Sequence, residues 1–127
     1  MKKVSICSTL INSIGEKTKC NVIGKYDFQK KKLFFIENNI SVLIEFIGNK
    51  VKIKRKNSDY CLNLLFEKNK TTKTRYKVNA LNVEFEVEIS TQEKEISDKN
   101  IKLDYRLYLN GEDMGNFEYK LDFEVIK

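Results

Sequence analysis

Hydrophobic residues recur at every second position over most of the chain. In the last third, Leu81, Val83, Phe85, Val87 and Ile89 alternate with Asn82, Glu84, Glu86 and Glu88. Ile101, Leu103, Tyr105, Leu107 and Leu109 alternate with Lys102, Asp104, Arg106 and Tyr108. Phe117, Tyr119, Leu121, Phe123 and Val125 alternate with Glu118, Lys120, Asp122 and Glu124. A period of two belongs to antiparallel strands with one face in a core and the other in water. Earlier segments repeat the pattern with more noise. Val4, Ile6, Leu10 and Ile14 mark a first strand, and Cys20, Val22, Tyr26 and Phe28 share a face of a second. Leu33–Glu37, Ile40–Ile47 and Val51–Arg55 are three short strands split by Asn38-Asn39 and by Gly48-Asn49, a hairpin signal. Tyr60–Phe66 and Thr74–Val78 follow, with polar loops expected at Lys68–Lys73 and Gln92–Lys99.

No apolar set keeps the i, i+3, i+4, i+7 spacing of an amphipathic helix, and one alanine among many β-branched and aromatic residues disfavours helix. The reading is a single all-β domain over residues 1–127, with about 8–10 antiparallel strands and little or no helix. That many one-sided strands must hide both their faces and their edges. Closing into an up-and-down β-barrel does both, and a sandwich is the second choice. Register adds a constraint. A two-residue turn at Asn110-Gly111 would pair odd with even positions, yet both flanking apolar sets are odd. Either the loop is longer or a bulge sits near Gly115. Gly24, in mid-strand, marks a sharp bend.

Composition narrows the chemistry. The 127 residues contain no His, which removes a histidine base, a histidine metal ligand and a Ser-His-Asp triad. Three cysteines without C-x-x-C spacing indicate neither a disulfide scaffold nor a zinc site, so no metal and no cofactor is expected. The segment after Met1-Lys2-Lys3 is broken by polar residues and reads as a strand instead of a signal peptide. No apolar run is long enough for a membrane helix, and the chain is expected to be cytoplasmic. The net charge of +6 hides an asymmetry: residues 1–80 hold 18 basic and 6 acidic residues, and residues 81–127 hold 6 and 12. Three of the 24 basic residues are arginine, which weakens a nucleic-acid reading and suits lysine on solvated faces.

Gly24-x-Tyr26, Leu33-Phe34-Phe35-Ile36-Glu37, Val51-x-Ile53-x-Arg55, Tyr76 with the Leu81–Thr91 strand, and Tyr105-x-Leu107 together give the chain a resemblance to the YwiB-like family. These are bacterial calycin-like barrels without an established activity, so the resemblance implies the barrel more than a function. Asn57 and Asn82 stand where that family tends to carry glycine, and asparagine tolerates the left-handed backbone such turns need.

Alternation also nominates a site. Arg55 continues the face of Val51 and Ile53, so its guanidinium points to the interior or mouth of the barrel. A buried charge needs a partner. Arg55 either anchors a small anionic or apolar ligand or plugs one end of the barrel through Glu37 or backbone carbonyls. In the ligand reading Tyr26, Tyr76 and Tyr105 line the site and Glu37 orients the arginine. Tyr119 shares their inward parity. The inward set is bulky, which predicts a largely filled interior. The alternative is an RNA- or protein-interaction face across residues 50–77, using Lys52, Lys54, Lys56, Lys70, Lys73 and Arg75, with Tyr60 or Tyr108 for stacking. Catalysis is not expected: Glu84, Glu86 and Glu88 face solvent, and no cysteine has a histidine partner. Oligomeric state is not encoded in any of these patterns.

Overall fold

The computed structural model describes residues 1–126, in which the alternating segments form ten antiparallel strands. They are β1 (Lys2–Ile11), β2 (Lys17–Asp27), β3 (Lys32–Glu37), β4 (Ile40–Ile47), β5 (Lys50–Lys56), β6 (Tyr60–Phe66), β7 (Thr71–Val78), β8 (Val83–Ile96), β9 (Asn100–Leu109) and β10 (Glu112–Val125). Each strand pairs with its neighbours in sequence. β1 also pairs with β10, from Val4 opposite Val125 to Ile11 opposite Glu118, which closes an up-and-down barrel in place of a sandwich. Among the described residues no helix is long and apolar enough to cross a membrane.

The interior is packed. Leu33, Phe35, Val42, Ile44, Val51, Phe66, Val87, Ile89, Leu103 and Leu121 are each at most 1% exposed. Large side chains from facing strands therefore fill the middle of the barrel, as their inward parity requires.

The last hairpin resolves its parity conflict with a bulge between Asp113 and Gly115. Leu107 lies opposite Gly115 and Tyr105 opposite Phe117, so both odd-numbered sets face inward. Asp113 fixes this bulge. Its carboxylate accepts the Gly115 amide at 2.8 Å and Arg106 Nη2 at 2.5 Å, and the Arg106 bonds hold its carboxyl below the usual range. Gly24 marks the place where β2 crowds β3: a Cβ there would meet the Phe34 carbonyl oxygen, Ile6 Cδ1 at 2.6 Å and Phe35 Cβ at 2.9 Å. The β2–β3 ladder is short, running from Lys25 opposite Phe34 to Asp27 opposite Lys32. Of the two asparagines that replace glycine, Asn82 adopts a φ of 50°. Asn57 works through its side chain instead, its Oδ1 accepting the amides of Asp59 and Tyr60.

Several boundaries differ from the sequence reading. β1 stops at Ile11, because Asn12 Oδ1 accepts the Ile14 and Glu16 amides and turns the chain. β7 begins within the expected polar loop at Thr71, and β8 begins at Val83, leaving Leu81 exposed in a turn. The larger correction concerns Gln92–Lys99. It is no loop up to Ile96, because β8 continues through a bulge between Thr91 and Glu93 and stays paired with β9.

Strand direction sorts the inward residues between two ends of the barrel. The odd-numbered strands finish at one end, which contains Arg55. The even-numbered strands finish at the other, which contains Tyr26.

Candidate functional site

The two ends hold different chemistry. At the Arg55 end, Arg55 of β5 and Glu37 of β3 both stand on inner faces, and Arg55 Nη2 donates to Glu37 Oε2 at 3.0 Å. The Glu37 side chain is 11% exposed and that of Arg55 24%. Burial opposes the Arg55 cation, but Glu37 and Tyr60 outweigh it and hold the guanidinium above its usual range. Burial, reinforced by the Glu37 carboxylate, pushes the Cys20 thiol up. Tyr105 and Tyr119 lie deeper. Burial pushes the Tyr105 phenol up to about 12 and raises Tyr119 as well, with Arg55 pulling weakly the other way on both. Tyr119 Oη is buried, with Ser8 beside it but no hydrogen-bond partner in good geometry among the described residues. Tyr76 closes the rim, half-buried, with its ring 5.7 Å from Tyr60 and 5.8 Å from Phe85.

Four of the five residues expected to form one site thus gather at or below this end, and Tyr26 does not join them. Parity puts Tyr26 inward as expected, but it lies near the end of β2, an even strand, and so faces the opposite mouth. There its ring packs edge-on against Phe28 at 4.7 Å and tilts against Phe123 at 4.9 Å. Burial, and then Asp98 and Asp27, push its phenol up. A cleft of about 740 Å³ opens beside it, where the β2–β3, β4–β5 and β8–β9 turns meet. Its apolar wall is Tyr26, Phe28, Phe46, Ile96 and Phe123, and its charged groups are Lys31, Lys94 and Asp98. That volume lies within the ordinary range of small-molecule pockets, and an aromatic wall with a few polar groups is their usual lining. Four clefts among the described residues are lined without Arg55, Glu37, Tyr76 or Tyr105.

Sequence reasoning missed Lys94, Ile96 and Asp98, because their segment reads as a polar loop. A signal was present: if one residue is looped out after Thr91, inward parity moves to even positions and Ile96 falls on the inner face. Phe46 and Phe123 were legible as strand residues but not as neighbours.

The basic residues are less free than their number suggests. Lys70 lies 3.2 Å from Glu67 within the β6–β7 turn, and Lys73 lies 3.8 Å from Glu86 and Arg75 2.6 Å from Glu84, since β7 pairs along its length with the acidic outer face of β8. Lys52, Lys54 and Lys56 stand outward on β5 and make no ion pair among the described residues. Tyr60 is not on the outer face: it shares its strand face with Leu62 and packs on Tyr76. No three His, Cys, Asp or Glu side chains among the described residues converge as a metal site requires.

The sequence model of a domain of unknown function, DUF1934, matches residues 4–121. The crystal structure of the ywiB protein from Bacillus subtilis is similar to this chain with a TM-score of 0.63, at 13% sequence identity over 97% of this chain and 91% of that one. At such identity the likeness shows the fold, a calycin-like barrel. No curated protein matches the sequence.

Proposed function

The chain belongs to the DUF1934 family, and within its calycin-like barrel we propose a non-catalytic binding protein for a small apolar or anionic molecule, held in the mouth that contains Tyr26. The aromatic cleft of about 740 Å³ carries this reading. Rings held edge-to-face keep their shape without a ligand, so binding need not order them first. The barrel beneath the cleft is filled, which makes the mouth the natural place for a ligand.

Arg55 is given a structural part. Its charge is already met by Glu37, so a ligand anion would have to displace an internal carboxylate. The non-catalytic reading rests on Glu84, Glu86 and Glu88 lying on an outer face and on free cysteines in a chain without histidine. Those free cysteines also suit the reducing cytoplasm. An RNA- or protein-interaction face across residues 50–77 is disfavoured by the ion pairs that tie β7 to β8. Retention on heparin that falls steeply with salt would restore it.

The experiment is native mass spectrometry of freshly purified protein, with Phe28→Ala as the control. Phe28 is 54% exposed, so its loss leaves the fold intact while removing one wall of the cleft. A bound small molecule that is lost in the variant supports the site. A bound molecule retained in the variant but released by Arg55→Met would move the site to the other end.

A further inference from the structure

The bulge in β8 decides which of its side chains reach the cleft. Before it, Val87, Ile89 and Thr91 face inward. After it, Lys94 lies opposite Leu103 and Ile96 opposite Ile101. Leu103 and Ile101 are buried core residues, so Lys94 shares the inner face of the barrel. It is half-buried in the wall of the cleft, one inward position below Ile96. Asp98 stands beyond the end of β8, exposed in the turn.

The groups around Lys94 leave its charge unanswered. Glu67 of the β6–β7 turn is the carboxylate that favours its charge, but Glu67 Oε1 is held by Lys70 Nζ at 3.2 Å. Lys68 adds a repulsive cation and is itself 3.5 Å from Glu93. Among the described residues no carboxylate lies within 4.0 Å of Lys94 Nζ. Burial accordingly pulls its ammonium below the usual lysine range. A second cation, Lys31, stands at the rim.

We infer that the cleft selects an amphipathic acid, its apolar body against Tyr26, Phe46 and Phe123 and its carboxylate on the Lys94 ammonium. This rests on the mouth being the binding site. Charge sets the discrimination. A carboxylate seated on Lys94 gains a charge-assisted hydrogen bond, whereas a neutral ligand of the same shape further desolvates the ammonium and offers it no counter-charge.

The test uses two probes of nearly equal shape, 1-naphthylacetate and 2-(1-naphthyl)ethanol, titrated calorimetrically into the full chain. The acid is expected to bind about tenfold or more tightly than the alcohol. Lys94→Met should bring the two affinities together while the alcohol still binds, and Phe28→Ala should weaken both. Circular dichroism checks that each variant keeps the strand signature. Equal binding of acid and alcohol by the unaltered chain, or a preference that survives Lys94→Met, overturns the role of Lys94 and leaves the mouth as a site. Binding of neither probe, or binding indifferent to Phe28→Ala, removes the mouth itself and the inference with it.

Discussion

At one end of the barrel an inward cation, Arg55, meets Glu37 at 3.0 Å; at the other an inward cation, Lys94, shares a cleft with aromatic rings and forms no ion pair among the described residues. Both side chains stand on the inner face, and both lie near the last inward position of their strand. They differ in what the chain provides opposite them. Glu37 ends β3 on the same inner face as Arg55, so the pair is satisfied internally and closes its end. Lys94 reaches the inner face through a bulge, beside a wall of Tyr26, Phe46 and Phe123, and the charge is left for something outside the chain. A charged residue inside a barrel is therefore read by its counter-charge as much as by its burial.

The largest effect should come from unpairing the closed end. Arg55→Met leaves Glu37 without its partner and should cost about 2–3 kcal/mol in urea unfolding, near the lower bound for a stranded buried charge because the pair keeps some water contact. Glu37→Leu added to Arg55→Met should recover most of that loss. Binding of 1-naphthylacetate should be unaltered in either variant. If it disappears while the protein stays folded, the two ends are not independent and the contrast fails.

Alkaline titration probes the phenols beneath Arg55. Tyr105 has a folded-state value of about 12 against an ordinary 10, so its contribution is fully present below pH 10 and is lost as pH rises through 12. Unfolding free energies from urea titrations at pH 9 to 12 should fall, by roughly 2 kcal/mol for this one group, and Tyr105→Phe should flatten the slope. Tyr119, raised by burial in the same direction, should keep some slope in that variant. A flat profile in the unaltered protein would mean that these phenols are reached by solvent.

At the open end, Phe28→Ala should weaken 1-naphthylacetate about tenfold with less than about 0.5 kcal/mol lost in stability, since the ring is largely exposed. The reverse result, a stability loss without a binding loss, would make the aromatic wall mere packing. Tyr119→Phe should have the smallest effect. Its hydroxyl has no hydrogen-bond partner in good geometry among the described residues, so its removal should leave stability unchanged or raise it by up to about 1 kcal/mol. A clear loss would reveal a hydrogen bond at the closed end.

Much of the barrel was legible because period two is a simple code. The strands, the filled interior and the inward aim of Arg55, Glu37 and four tyrosines all follow from it, and odd-with-odd parity across the last hairpin required the bulge at Gly115. Parity states which face a residue takes, not which end of the barrel it reaches. Tyr26 and Arg55 both lie near the C-terminal ends of their strands, but β2 and β5 run in opposite directions, so the two residues part company. Strand count would have separated them. Lys94 was harder. Between Thr91 and Ile101 the inner face is reported by Ile96 alone among large apolar residues, and one looped-out residue is enough to invert the reading.

The seam between β1 and β10 has a consequence for how the molecule is made. Val4 finds its partner in Val125, nearly the full length of the chain away. During synthesis the outer edge of β1 has no strand to pair with until β10 has left the ribosome, and by then the other eight strands have emerged as a growing, open meander. Pairing at such sequence separation is slow, and an open edge invites association between nascent chains. The first two thirds of the chain, which emerge first, carry a large excess of lysine, and like charge of that kind opposes association between waiting strands.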